Sequence, residues 1–188
     1  MTVSSSPITA EQARQVLKNA DCLYDTSEVE AALDRMAAAI RKDLSELDPI
    51  VVCVMTGGAV PFGLLLPKLD FPMQVDYVHA TRYSDRLYGD HLQWLSGPHR
   101  SFDDRVILLI DDIVDEGITL AEIEKRYVAD GARRVYKAVL VIKERNRRQD
   151  VEVDYPGLIV PNRYVFGYGM DYKSYLRNAP GIFAEAEK

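Results

Sequence analysis

Cysteine is scarce in this chain: Cys22 and Cys53 are the only two among 188 residues. They fit no metal-ligand spacing and are too few for a disulfide framework, so a reducing, cytoplasmic setting is expected and neither stands in a pattern that marks a catalytic thiol. Long apolar runs are missing too, and none approaches the ~20 residues of a membrane helix. The start, Met1-Thr2-Val3-Ser4-Ser5-Ser6-Pro7, lacks the basic and apolar regions of a signal peptide. Positive charge is in deficit, with 23 Lys and Arg against 29 Asp and Glu and a formal net charge of -6. That balance argues against broad binding to nucleic acid or to an anionic membrane, either of which needs a basic face. There are no internal repeats, and no low-complexity tract beyond a short serine run.

What is present suits one soluble domain over residues 1–188, with 47% hydrophobic residues and enough length to bury a core. Thr9 with Gln12, and Ser27 with Glu30, have capping-box spacing ahead of helical patterns; the second carries Val29, Leu33, Met36, Ile40 and Leu44. Residues 50–55 read as a buried strand, Thr56-Gly57-Gly58 as a tight turn, and residues 60–69 as a helix with Pro61 tolerated in its first turn. Further strands are expected over 73–80, 105–111 and 134–143, with a helix over 118–130 that stops at Gly131. Alternation of this kind implies an α/β fold with right-handed crossovers and a parallel sheet flanked by helices. The polar stretch 81–104 is long for a connection in a compact domain, which points to a functional loop or a β-hairpin excursion; a mobile lid is the favoured reading. Residues 151–188, with short aromatic segments and turns, read as a small cap.

The most informative stretch is Val106-Ile107-Leu108-Leu109-Ile110-Asp111-Asp112-Ile113-Val114-Asp115-Glu116-Gly117-Ile118-Thr119-Leu120. An apolar run with no polar alternation marks a strand covered on both faces, and it ends in four carboxylates, Asp111, Asp112, Asp115 and Glu116. Like charges this close oppose one another's ionisation, so the cluster is poor folding material and points to a cation, a sugar or both. The turn from Glu116 through Gly117 and Ile118 to Thr119 opens a helix, and its backbone N–H groups with the helix dipole suit a phosphate. A phosphate alone would be repelled by the acids. A ribose phosphate arriving with Mg²⁺ satisfies both halves, its hydroxyls facing Asp111 and Asp112. The competing reading is that the acids cap the helix. An EF-hand needs an oxygen ligand where Ile113 stands, a P-loop needs a Gly-Lys-Ser/Thr ending that is nowhere present, and Gly167-x-Gly169 does not extend to a dinucleotide fingerprint. A receiver domain would carry its acid pair after the first strand rather than the third.

Residues 106–120 resemble the phosphoribosyl-pyrophosphate motif of the type I phosphoribosyltransferases, in which apolar strand residues precede two acids and an acid-X-Gly-X-Thr turn. Across residues 50–184 the chain is similar to the hypoxanthine-guanine branch of that family. The resemblance implies a core of about 20–150, a small C-terminal hood from about 151–188 joined by the N-terminal segment, and a long flexible loop. It gives Asp115 the role of general base at purine nitrogen 7. Asp111 and Asp112 would hold ribose hydroxyls and, with Asp171, Mg²⁺, while the backbone from Glu116 to Thr119 would hold phosphate. Thr56, Gly57, Arg82 and Arg177 would bind pyrophosphate. Lys143 would donate to the oxygen at purine carbon 6, Tyr164 would stack on the ring, Val165 would offer backbone groups to its edge, and Asp171 would lie near the two-position. Tyr83 belongs to the closing loop.

The family often has Lys where Thr56 stands, Ser where Arg82 stands, and Thr or Ser where Glu116 stands. Arg82 is expected to supply the cation that Thr56 does not, and a cis peptide is expected between Met55 and Thr56. The substrates implied are phosphoribosyl pyrophosphate and a purine base, with a homodimer or homotetramer as the assembly. Open alternatives are a xanthine-preferring enzyme and a non-catalytic regulator that keeps the sugar-phosphate site.

Overall fold

A computed structural model describes residues 8–85, 89–97, 102–144 and 151–186. Helix α1 (Ala10–Asn19) starts at the Thr9/Gln12 capping box, as its spacing predicts. Strand β1 (Asp21–Asp25) leads into α2 (Thr26–Leu44), whose capping box is Asp25 with Glu28 rather than Ser27 with Glu30. The Asp25 carboxylate accepts from the Glu28 N–H at 3.0 Å and from the Ser27 hydroxyl at 2.6 Å, so Ser27 serves the cap from inside the helix. An acid is the stronger acceptor facing the positive helix end.

Strand β2 (Ile50–Met55) is followed by α3 (Ala59–Leu65), which tightens into a 3₁₀ turn over Leu66–Lys68. Next come β3 (Gln74–Asp85) and β4 (Gly89–Ser96), paired antiparallel, so the described residues 81–85 and 89–96 of the long polar stretch form two paired strands, the first continuing the strand expected over 73–80. Then follow β5 (Val106–Val114), α4 (Ile118–Ala129), β6 (Arg134–Lys143), β7 (Tyr155–Val160), β8 (Val165–Phe166) and β9 (Gly181–Ala184).

The main sheet has the order β4-β3-β2-β5-β6-β7, parallel except for β4. Helices α2 and α3 cover one face, with Leu33, Ile40, Leu108, Ile110 and Leu140 in a common core. Helix α4 covers the other, where Val52, Ile107, Leu109, Ile123, Tyr127 and Val139 pack together. Successive residues of β5 thus enter opposite cores, which is why that strand shows no polar alternation. From β2 the chain moves to β3 on one side; from β5 it moves to β6 on the other. The strand order therefore reverses between β2 and β5, and ligands of open α/β sheets bind beyond the carboxyl ends of strands at such a point.

Two further boundaries differ from the sequence reading. Strand β5 runs to Val114, so Asp111 and Asp112 sit on the strand and only Asp115 and Glu116 belong to the turn. Strand β7 pairs in parallel with β6 and completes the main sheet, although it lies within the stretch assigned to the cap. Pro156 and Gly157 disguise it, and both are tolerated because β7 is an edge strand. The cap itself is a three-stranded antiparallel sheet, β1-β9-β8, in which an N-terminal strand joins two from the C-terminal end.

Candidate active site

At the end of β5 the chain turns through Asp115, Glu116 and Gly117 into α4. Gly117 is the N-cap at φ 85°, and no side chain caps the helix. A Cβ at this position would press on Val151 as well as strain the backbone. None of the acids caps α4, which sets that competing reading aside. The first-turn N–H groups have no intrahelical partner by the geometry of a helix, and they face a cavity of about 140 Å³ lined by Asp111, Asp115, Glu116, Gly117, Ile118 and Thr119 among others.

The two strand acids share a tight, poorly solvated space. The Asp112 N–H donates to Asp111 Oδ1 at 2.9 Å and the Ile113 N–H to Asp112 Oδ1 at 3.0 Å. Burial, then the charge of Asp112, pushes the Asp111 carboxyl well above the usual carboxylate range. Asp112, only 8% exposed, is also raised by burial, while its bond to Asp111 and the Arg177 guanidinium act the other way.

A second cavity of about 220 Å³ adjoins the first and is lined by Asp112, Ile113, Asp115, Lys143, Tyr164, Val165, Met170 and Asp171. Asp115 and Ile113 line both. Lys143, the last residue of β6, brings its Nζ to 3.2 Å from Asp115 Oδ2. Tyr164 is 47% exposed and meets the Tyr172 ring edge-on at 5.1 Å. Val165 is buried in β8. A donor, an acceptor and an aromatic face thus border one space.

The turn after β2 closes the site from below. The Met55–Thr56 peptide is cis. A Cβ on Gly57 would overlap the Asp112 carboxylate, and one on Gly169, at φ 109°, would overlap the Gly57 carbonyl. Arg177 ties the cap to this point: Nη1 donates to the Gly169 carbonyl at 2.5 Å, Nη2 pairs with Asp171 Oδ1 at 2.7 Å, and Nη1 lies 3.9 Å from Asp112 Oδ2. Thr56 is exposed at the turn. Arg82 and Tyr83 lie on β3, opposite Leu92 and His91 of β4; their side chains fall outside the described residues.

A family model for the phosphoribosyl transferase domain matches residues 19–173, most of the chain. The chain belongs to the phosphoribosyltransferase family. The hypoxanthine-guanine phosphoribosyltransferase of Streptococcus pneumoniae is 30% identical over 169 residues, 85% of this chain and 89% of its own. The hypoxanthine-guanine-xanthine phosphoribosyltransferase of Tritrichomonas foetus is 28% identical over 167 residues, 87% of this chain and 91% of its own. Among solved structures, a hypoxanthine-guanine-xanthine phosphoribosyltransferase superposes with a TM-score of 0.82 at 26% identity, covering 90% of this chain and 99% of that one. A Staphylococcus aureus hypoxanthine phosphoribosyltransferase reaches 0.85 at 23% identity over 95% and 97% of the two chains, sharing the type I phosphoribosyltransferase fold.

Sequence reading did not mark Ile113, Met170 or Gly169 in this phosphoribosyltransferase site. Ile113 and Met170 are apolar residues that look like core, and Gly169 enters the sequence pattern only as part of an incomplete dinucleotide fingerprint. A glycine two residues before Asp171 in an aromatic segment was the available signal for a close backbone approach.

Proposed function

We propose that this phosphoribosyltransferase moves the 5-phosphoribosyl group of phosphoribosyl pyrophosphate to nitrogen 9 of hypoxanthine or guanine, giving IMP or GMP and pyrophosphate in purine salvage. The observation that carries this reading is the pairing of the Lys143 ammonium with the Asp115 carboxylate, 3.2 Å apart, in a cavity rimmed by Tyr164. A 6-oxopurine offers that pair an acceptor at oxygen 6 and a donor at nitrogen 7. An amine at carbon 6, as in adenine, would turn a donor toward a donor. Asp171, lining the same cavity, suits the exocyclic amine of guanine.

In the reaction the bond from the anomeric carbon to pyrophosphate breaks as the bond to nitrogen 9 forms, through a transition state with oxocarbenium character. Asp115 accepts the purine proton at nitrogen 7 as nitrogen 9 attacks. Asp111 and Asp112 receive the ribose hydroxyls, and the N–H groups from Glu116 to Thr119 hold the 5-phosphate. Thr56, Gly57, Arg82 and Arg177 receive the pyrophosphate, and the β3–β4 hairpin with Tyr83 closes to keep water from the activated sugar.

The donor set fits Mg²⁺ carried by the substrate better than a resident ion. No group of three or more His, Cys, Asp or Glu able to cage a metal occurs among the described residues. Mg²⁺ characteristically uses one or two carboxylates, several waters and substrate phosphates, and Asp111, Asp112 and Asp171 would be the carboxylates available to it. When bound it neutralises charge on the leaving pyrophosphate.

No helix among the described residues is long and apolar enough to cross a membrane. Two free cysteines, one exposed and one buried, support a cytoplasmic setting. Self-association as a dimer or tetramer draws support from β3, where Val75 and Tyr77, each 46% exposed, border an apolar groove with Met55 and Phe62. The function is tested by turnover of hypoxanthine, guanine, xanthine and adenine with phosphoribosyl pyrophosphate and Mg²⁺. Hypoxanthine and guanine should react and adenine should not; a protein inert toward all four would refute the reading.

A further inference from the structure

Tyr164 stands at the rim of the cavity with nearly half its surface in solvent, yet its back is held by residues that do not line the cavity at all. The Tyr172 ring, 6% exposed, meets it edge-on at 5.1 Å and 71°. Tyr172 is itself wedged against the fully buried Phe166, at 5.7 Å and 65°. The Tyr172 hydroxyl donates to Glu185 Oε1 at 2.9 Å. The N–H of the same Glu185 donates to the Tyr164 carbonyl, also at 2.9 Å. Glu185 therefore grips Tyr164 twice, by its main chain directly and by its ring through Tyr172. Arg163 braces the grip, donating from Nη2 to the Glu185 carbonyl at 2.6 Å and pairing with Asp21 on β1.

We propose that Tyr172 and Glu185 are positioning residues that set the orientation of the Tyr164 ring and through it the affinity for the purine base. This rests on the purine reading of the cavity. A ring that half projects into water has rotamer freedom, and stacking a ligand on it costs the ordering of that ring. An edge contact locked from behind by a hydrogen bond removes that cost before the base arrives. Offset and edge-to-face aromatic geometry is directional, so a small rotation of Tyr172 is transmitted to Tyr164. Neither positioning residue lines either of the two site cavities, so the phosphate end of the site is untouched by the device.

Steady-state kinetics of Tyr172→Phe, Glu185→Ala, their double variant and Glu185→Gln test the proposal. Each of the first two should raise KM for hypoxanthine and guanine roughly three- to tenfold, the range an oriented aromatic pair carries, with kcat and KM for phosphoribosyl pyrophosphate little changed. The double variant should match either single one, because both remove the same link. Glu185→Gln should restore the base KM, since its amide oxygen still accepts the Tyr172 hydroxyl. Glu185 is exposed and Phe keeps the Tyr172 ring, so all four variants should unfold at the wild-type temperature. An unchanged base KM, additive effects in the double variant, or a parallel rise in KM for phosphoribosyl pyrophosphate would overturn the positioning role alone. A wild-type protein that turns over no purine would overturn the purine reading and this role with it.

Discussion

Lys143 Nζ lies 3.2 Å from Asp115 Oδ2, joining the end of β6 to the turn after β5 across the candidate purine cavity. The ammonium is the better shielded of the two, with its side chain 14% exposed against 41% for Asp115. One charge pair thus presents a donor and an acceptor side by side, and a base that binds there must match both. Discrimination built on hydrogen bonds exceeds what shape alone supplies, because the wrong base leaves a buried polar group without its partner.

Lys143→Ala removes the donor and leaves Asp115 in place. The expected result is a fall in kcat/KM for hypoxanthine of about 10- to 100-fold, the cost of one charged hydrogen bond, together with a weakened preference for oxo- over aminopurines. Competition assays between hypoxanthine and adenine check it. A variant that still discriminates as the wild type does would move the basis of specificity elsewhere.

Asp115→Asn keeps the shape of the turn and removes the proposed proton acceptor. Its expected signature is a loss in kcat of roughly 100- to 10,000-fold, the span of general acid-base effects, with KM for phosphoribosyl pyrophosphate near the wild-type value. Pre-steady-state measurement of the chemical step separates this from slow product release. A change confined to KM would argue that Asp115 binds the base without moving its proton.

The acid-ended strand was legible because its signals agree: an apolar run marks β5, the acids are unexplained by folding, and Gly117 marks the start of α4. Strand β6 was legible to the residue, ending at Lys143, because Gly131 and an apolar period bound it. Strand β7 was hidden by Pro156 and Gly157, whose tolerance depends on edge position, a property of the whole sheet. The contact between Gly169 and Gly57 was hidden for a related reason, since it joins a cap turn to a loop far away in sequence. The Glu185 grip on Tyr164 and Tyr172 has no local pattern at all. Elements follow from neighbours along the chain, whereas the side chains that brace a site from behind follow from tertiary packing.

Gly57→Ala would drive a methyl group into the Asp112 carboxylate, which has little room because Gly169 presses on the same loop from the cap. The variant should lose most of its turnover and about 1–3 kcal/mol of stability, as overpacked positions do. Denaturant midpoints and kcat measured together check it. Wild-type activity would show that the loop moves aside freely, and would weaken the case for a shared pyrophosphate pocket.

Asp111→Asn carries the opposite sign for stability. Burial and the neighbouring Asp112 raise the Asp111 pKa in the folded chain, so the folded state holds that proton more tightly than the unfolded state, whose carboxylates titrate near ~3.9. Stability contributed by the protonated acid is therefore present in acid and is lost as pH rises from the unfolded value through the raised folded one. The charged form of Asp111, the one that a ligand with hydroxyls or a cation would use, is thus the form that the fold disfavours. Asn retains the acceptor for the Asp112 N–H without the charge. The variant should melt about 2–4 °C higher than wild type at pH 7, the shift that ~1 kcal/mol gives in a domain of this size, and the difference should vanish below about pH 4. Phosphoribosyl pyrophosphate with Mg²⁺ should reverse the order, stabilising the wild type more because only the wild type regains a charge partner. A variant that melts lower than wild type at neutral pH, with or without ligand, would mean that the Asp111 charge supports the fold and is not held in reserve for substrate.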